Sequence, residues 1–182
     1  SSEEQTRRAL KWDDKSWPWS RYEAAVMTAV RAGVPVLGAN LPRSQMPHSM
    51  DDRRLDAHLP EPALKALQQA IRSGHCNLLP EEQISPMTRI QIAKDIVMAE
   101  TIHQLVFPGK VVVLLAGKGH VDRKLGVPQH LSSTLTAKAV GLQAGAENAA
   151  LAETFDSVWI TPALPEKDHC AELKAQLLKP GK

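Results

Sequence analysis

Apolar positions along the chain follow a helical period in four stretches and collapse into short unbroken runs in others. Residues 2–10 place acidic side chains first and arginines last, the order that suits a short helix dipole. Ser20 and Glu23 have the S-x-x-E spacing of a capping box, and Ala24, Ala25, Val26, Met27 and Val30 continue a helix that Gly33 stops. Residues 34–38 form a short apolar run that reads as a buried strand, and a polar, irregular stretch follows over 40–60. Pro62 and Gly74 frame a helix over 62–73 with Leu64, Leu67, Ala70 and Ile71 as its stripe. Ser85 and Pro86 open a longer helix with Ile90, Ala93, Val97, Thr101 and Leu105 on one face. Residues 111–116 are apolar on both faces, which predicts a central strand covered by helices, with 34–37 beside it or one strand away. Residues 138–143 and 157–161 are weaker strand candidates, and 168–178 reads as helical.

This order of elements predicts an α/β fold: a parallel sheet flanked by helices, with a small helical subdomain. Two clear and two weak strands make a thin sheet against the usual five or six, which places further βα units upstream of Ser1.

Composition narrows the function classes. The 182 residues suit one domain, and a net charge of +2 with 23% charged and 43% hydrophobic residues suits a folded one. Aromatics at 4% and interspersed charges argue against nucleic acid as a partner. No apolar run approaches the roughly 20 residues that span a bilayer. Cys76 and Cys170 form neither a disulfide framework nor a zinc knuckle, and the opening Ser1-Ser2-Glu3-Glu4 leaves the compartment unread.

The strongest local signal is Gly117, Lys118, Gly119, His120 and Val121, directly after the 111–116 run. Ligands of open α/β sheets bind at carboxyl ends of strands, so Lys118 and His120 are candidate binding residues there; a tight turn with a hydrogen-bonded His explains the run equally well. The P-loop spacing is missing, so a nucleotide is not indicated. Asn40 and Arg43 follow the 34–38 run, where they could share the crevice of His120, Arg43 pairing with a carboxylate or propionate or serving as an ordinary loop cation. His75, just past a helix end beside Cys76, either stabilises terminal carbonyls or serves as a ligand. The other histidines read singly as solvated, and Asp95 reads as an ordinary partner of Arg89 or of the Lys94 neighbourhood. Tyr22, the one tyrosine, is either an amphipathic packing residue or a phenolate ligand to ferric haem. No H-E-x-x-H and no G-x-S-x-G is present.

Taken in order, these pieces resemble the ChaN family of haem-binding, iron-regulated lipoproteins. The matching segments are 17–22, Gly38 to Arg43, and Gly74-His75-Cys76. Met87, Gln91, Asp95, Met98 and Ala99 on the long helix match too, as do Gly117 to Val121 and Gly126-Val127-Pro128. The resemblance implies that 1–182 is one α/β domain, the C-terminal two-thirds of a ChaN-like domain, with 44–106 mostly helical. It implies a haem-binding lipoprotein of haem and iron uptake, a binding protein rather than an enzyme. The haem iron would be held by a tyrosine, for which Tyr22 is the candidate, with Trp17, Trp19 and Met27 as apolar surface. Lys118, His120, Arg43, His75 and Asn40 would line the cofactor. A homodimer on haem binding, a haem receptor or uptake proteins as partners, and an upstream lipid anchor in the cell envelope, at the outer membrane or in the periplasm, go with it. There Cys76 and Cys170 could be oxidised if their Cα atoms lie within about 7 Å. An esterase-like hydrolase on the same scaffold is the alternative, with His120 as a general base and Arg43 as an anion anchor.

Overall fold

Ser2 starts the first helix, α1 (Glu3–Ala9), with a full capping box: its hydroxyl accepts from the Gln5 amide, and the Gln5 side chain accepts from the Ser2 amide. The computed structural model describes residues 2–165 and 167–177. The chain divides into two compact units, Ser1–Ala39 and Asn40–Lys182.

In the first unit, α2 (Glu23–Arg31) carries Val26 and Met27 into a small core around Trp19, which is 4% exposed. That tryptophan changes the expected cap. Its backbone amide donates to Asp14 and its ring meets the edge of Trp12, so Trp19–Arg21 closes into a 3-10 turn that absorbs Ser20. The helix then begins after Tyr22 with no side-chain cap. Gly33 ends α2 as expected, in left-handed backbone with φ +69°. Residues 34–38 form no strand, and Val34 and Leu37 are exposed; only Val36 packs against the core.

The second unit is built on a 25-residue helix, α5 (Glu81–Leu105), packed against α3 (Met46–Asp51), α4 (Glu61–Gly74) and the 3-10 turns Arg53–His58 and Val127–His130. It starts earlier than Ser85: Glu81 and Glu82 suit the positive end of the dipole, Arg72 from α4 ion-pairs with Glu81, and Pro86 lies inside. Leu59, Leu67 and Ile92 form the helical core, joined by Leu125. The long expected face holds only in part. Ile90 and Ala93 are buried, but so are Thr88, Asp95 and Ala99 on the neighbouring row.

The clearest strand expected from the sequence is absent. Residues 111–116 form no strand, with Val111, Val113 and Leu115 exposed by 88%, 84% and 59%. An apolar run favours burial, but a strand also needs a neighbour to take its amides and carbonyls, and no described residue supplies one. The weaker candidates found each other instead. β1 (Val140–Ala144) and β2 (Ser157–Thr161) pair in parallel, Val140 against Ser157. Asp156 holds their approach, accepting from the Ala139 amide and from Arg123. Helices and a small parallel sheet make an α/β fold. The tail helix α6 (His169–Leu177) is as expected; position 178 lies outside the described residues.

Beneath β1 lie Ala139, Leu151 and Phe155, the last 2% exposed. A Cβ at Gly141 would lie 2.8 Å from Cδ2 of that ring. Gly141→Ala is therefore expected to cost about 1–3 kcal/mol by overpacking, measured by urea unfolding. An unchanged midpoint would mean that Phe155 does not pack there.

Candidate functional site

The chain leaves the 111–116 segment through Gly117, in extended backbone, and turns at once into a 3-10 turn, Lys118–Val121. That turn aims His120 at α5. Gln91 and Asp95 stand four residues apart on the helix, hence on one face, and both reach the imidazole. His120 Nδ1 lies 2.5 Å from Asp95 Oδ1 and 2.9 Å from the Gln91 amide nitrogen. Asp95 is fully buried, whereas the His120 side chain keeps 15% of its surface.

A ring nitrogen offers one hydrogen or one lone pair, so Nδ1 cannot donate to Asp95 and accept from Gln91 together. Hydrogen bonds to ionised groups contribute about 1.5–3 kcal/mol net, against about 0.5–1.5 kcal/mol between neutral ones. Nδ1–H therefore donates to the Asp95 carboxylate, and the Gln91 side-chain amide stands beside the same ring nitrogen. Burial pushes the Asp95 carboxyl above its ordinary value; the hydrogen bond and charge of His120, then Lys94, hold it back. Its second oxygen, Oδ2, is buried without a partner. Gly126 passes close behind this loop, its amide donating to the Asp122 carbonyl.

The sequence reading missed this cluster. Arg89, its expected partner for Asp95, instead makes a bidentate pair with Asp56 and donates to the Met50 carbonyl. The legible signal was the i, i+4 spacing of Gln91 and Asp95 on a helix. Lys118 is exposed beside His120. Asn40 and Arg43 are exposed too, Arg43 opening the 3-10 turn Arg43–Gln45. The two strand ends that were to deliver them to His120 do not form, and the side chains that hydrogen-bond His120 come from α5 instead. His75 takes its helix-end role: its Nδ1–H donates to the Ile71 carbonyl, 2.8 Å away. Beside it, Cys76 is disulfide-bonded to Cys170, with Cα atoms 5.6 Å apart.

The remaining histidines are not all solvated singly. His103 Nε2 accepts from the Ser132 amide. The rings of His58 and His130 lie 6.2 Å apart, and burial, then the charge of His58, holds His130 below the usual imidazole range. Among the described residues no group of three His, Cys, Asp or Glu side chains could hold a metal ion.

Tyr22, in the first unit, is half-buried between the rings of Trp12, 5.7 Å away, and Trp17, 5.5 Å away. Trp19 and Met27 do not offer a porphyrin their surface, because they form the core of this unit. Trp17 does, being 38% exposed, and Arg21 is exposed nearby. A phenol oxygen suits ferric iron, and an accessible aromatic face beside it suits a porphyrin, so these residues fit a haem. Neither Gln91 nor Asp95 is a nucleophile of serine or cysteine type, and the hydrolase alternative gains no support from His120.

Residues 1–131 match the family described as haem-binding uptake proteins, Tiki superfamily, ChaN. Among solved structures, one described as cofacial haem binding to ChaN of Campylobacter jejuni is similar, with 28% sequence identity and a TM-score of 0.69. The similarity covers 86% of this chain and 62% of that one, so this chain spans less than two-thirds of its relative's length. No curated protein matches significantly.

Proposed function

Since the chain belongs to the ChaN family of haem-binding uptake proteins, we propose that it binds haem and serves haem and iron uptake. The observation that carries this reading is Tyr22 set between two tryptophans, inside the stretch that matches the family. When bound, haem supplies a Lewis-acidic iron with an open axial position, an apolar ring and two carboxylates. Tyr22 would take the axial position, and Trp17 would face the porphyrin. The second unit separately offers the exposed Lys118 ammonium as a partner for a carboxylate. His75 donates Nδ1–H to the end of α4, which leaves its Nε2 for a ligand.

A homodimer forms on haem binding in this reading. The relative from Campylobacter jejuni is described as binding haem cofacially, and two haems stacked face to face suit two copies of one chain. The compartment is the cell envelope, with any membrane contact made through a lipid anchor upstream. The Cys76–Cys170 disulfide supports an oxidising compartment of this kind.

Haem titration of wild type against Tyr22→Phe tests the ligand. The variant removes only the hydroxyl, so the fold is expected to persist while the charge-transfer band disappears and affinity falls at least about tenfold, the order of a bond to a charged group. An unchanged spectrum and affinity would rule Tyr22 out. Sedimentation with and without haem checks the dimer.

A further inference from the structure

We propose that His58, His103 and His130 form an acid-sensitive latch: as neutral imidazoles they fasten residues 127–132 to α5 and to the Arg53–His58 turn, and their protonation releases that segment.

Three contacts at this segment each need an uncharged ring. The first is burial. His130 closes the Val127–His130 turn, which packs against α5, and its Nε2 is buried without a hydrogen-bond partner. An imidazolium carries a hydrogen on both nitrogens, so protonation would leave a buried, charged N–H with no acceptor. The second is repulsion. His58 ends the Arg53–His58 turn, and its ring lies 6.2 Å from that of His130, tilted by 56°. Two imidazoliums at this separation repel. The third is a hydrogen bond. His103, in the last turn of α5, accepts the Ser132 amide at Nε2, and a proton on that nitrogen removes the lone pair.

No carboxylate offsets the added charge. Among the described residues none ion-pairs with His58, His103 or His130. On the Arg53–His58 turn Asp56 is paired with Arg89 of α5, Arg54 with Asp52, and Arg53 is exposed. Farther along α5, Asp95 bonds His120 with Lys94 beside it, and Glu100 is exposed. The Lys118–Val121 turn, which also packs against the segment, brings Lys118 and His120. Before the segment, Arg123 pairs with Asp156. Burial, then the charge of His58, holds His130 below the ordinary imidazole value of 6.5. The docked segment thus takes a proton at His130 less readily than the released one. Docking is complete above about pH 6.5 and is lost as pH falls through the lower value of the docked ring. Gly126, immediately before the segment, lies close against the backbone of Gly119 and His120, so release loosens that turn as well.

Hydrogen exchange at the Gln129 and Ser132 amides, both hydrogen-bonded in the docked segment, tests the latch in the full chain. It is measured at about pH 8 and about pH 5, either side of the ordinary imidazole value. After correction for the intrinsic pH dependence of exchange, protection of the two amides is expected to fall at least about tenfold at the acid pH, the order of an unmade buried hydrogen bond. Protection along α4 is expected to hold. A triple variant, His58→Gln with His103→Gln and His130→Leu, keeps an acceptor for the Ser132 amide and removes all three titrating rings. Its protection is expected to be the same at both values. Acid-insensitive protection in wild type would overturn the proposal. So would an equal acid loss in wild type and the triple variant, or an equal fall along α4, which would mean global unfolding. If the triple variant fails to fold, proton NMR titration of the wild-type histidines replaces it. His130 must then titrate below the ordinary value, together with the movement of the Ser132 amide signal; a His130 that titrates at or above that value, or a Ser132 signal that ignores it, overturns the latch.

Discussion

Gly126→Ala is expected to destabilise the protein by about 2–3 kcal/mol and to pull His120 away from Asp95, at the upper end of what overpacking costs. A methyl group at this position would lie 2.3 Å from the His120 carbonyl oxygen, 2.6 Å from its carbonyl carbon and 2.8 Å from the Gly119 carbonyl oxygen. All three are backbone atoms, so no side chain can swing aside. The φ of −107° is open to alanine, which leaves the steric clash as the whole effect. Relief requires the Lys118–Val121 turn to move off Gly126, and that movement carries the imidazole with it. Urea unfolding and the His120 imidazole resonances check both parts. Gly74→Ala serves as the control: nothing lies within 4 Å of the new methyl at the last residue of α4, so the change is expected to be neutral or to stabilise by up to about 1 kcal/mol. Wild-type stability and an unmoved His120 signal in Gly126→Ala would mean that the two loops do not touch.

The glycines show how far the sequence could be read. Gly117 and Gly119 drew attention because they flank Lys118, yet a Cβ at either would meet only ordinary contacts, at 3.8 and 4.0 Å. The glycine that the loop requires is Gly126, whose need comes from a close approach between segments six residues apart. No local pattern announces that. Helices were legible because their signals are local: the acid-first, arginine-last order of α1, Leu64 and Leu67 of the α4 stripe and the stop at Gly33 reappear in the structure, whereas the S-x-x-E spacing at Ser20 caps no helix. Strands were ranked in the wrong order because a strand is decided by its partner. The run at 111–116 has the stronger composition, but β1 and β2 have each other, and Gly141 leaves the space that Phe155 fills beneath them. The site repeats the lesson. His120 and Lys118 stood out by their turn, whereas Asp95 looked like one more helix carboxylate beside Arg89. Only the tertiary structure, by giving Arg89 to Asp56, shows that Asp95 is reserved for the histidine.

Replacing Cys76 and Cys170 together by serine is expected to cost about 4 kcal/mol, within the 2–5 kcal/mol that loss of a native disulfide removes. The bond joins positions 94 residues apart, from just past α4 to the first turn of α6, and so encloses α5, the His120 loop and both strands. Its main action is on the unfolded chain, where a loop this long loses much of its freedom when closed. Three consequences follow from that mechanism. The urea midpoint should fall in the serine variant and, equally, in wild type treated with a thiol reductant. The m-value should rise, because an unfolded chain without the cross-link exposes more surface. The His120 imidazole signal should not move in the folded variant, since the native contacts of Nδ1 do not include the bond. Against a typical total of about 5–15 kcal/mol, a loss of this size would leave a chain reduced in a glutathione-buffered compartment only marginally folded. Alkylation followed by mass spectrometry gives the direct check, with both cysteines blocked until reduction. Free thiols in native protein, or identical midpoints with and without reductant, would place Cys76 and Cys170 apart and remove the support that the disulfide lends to an oxidising compartment.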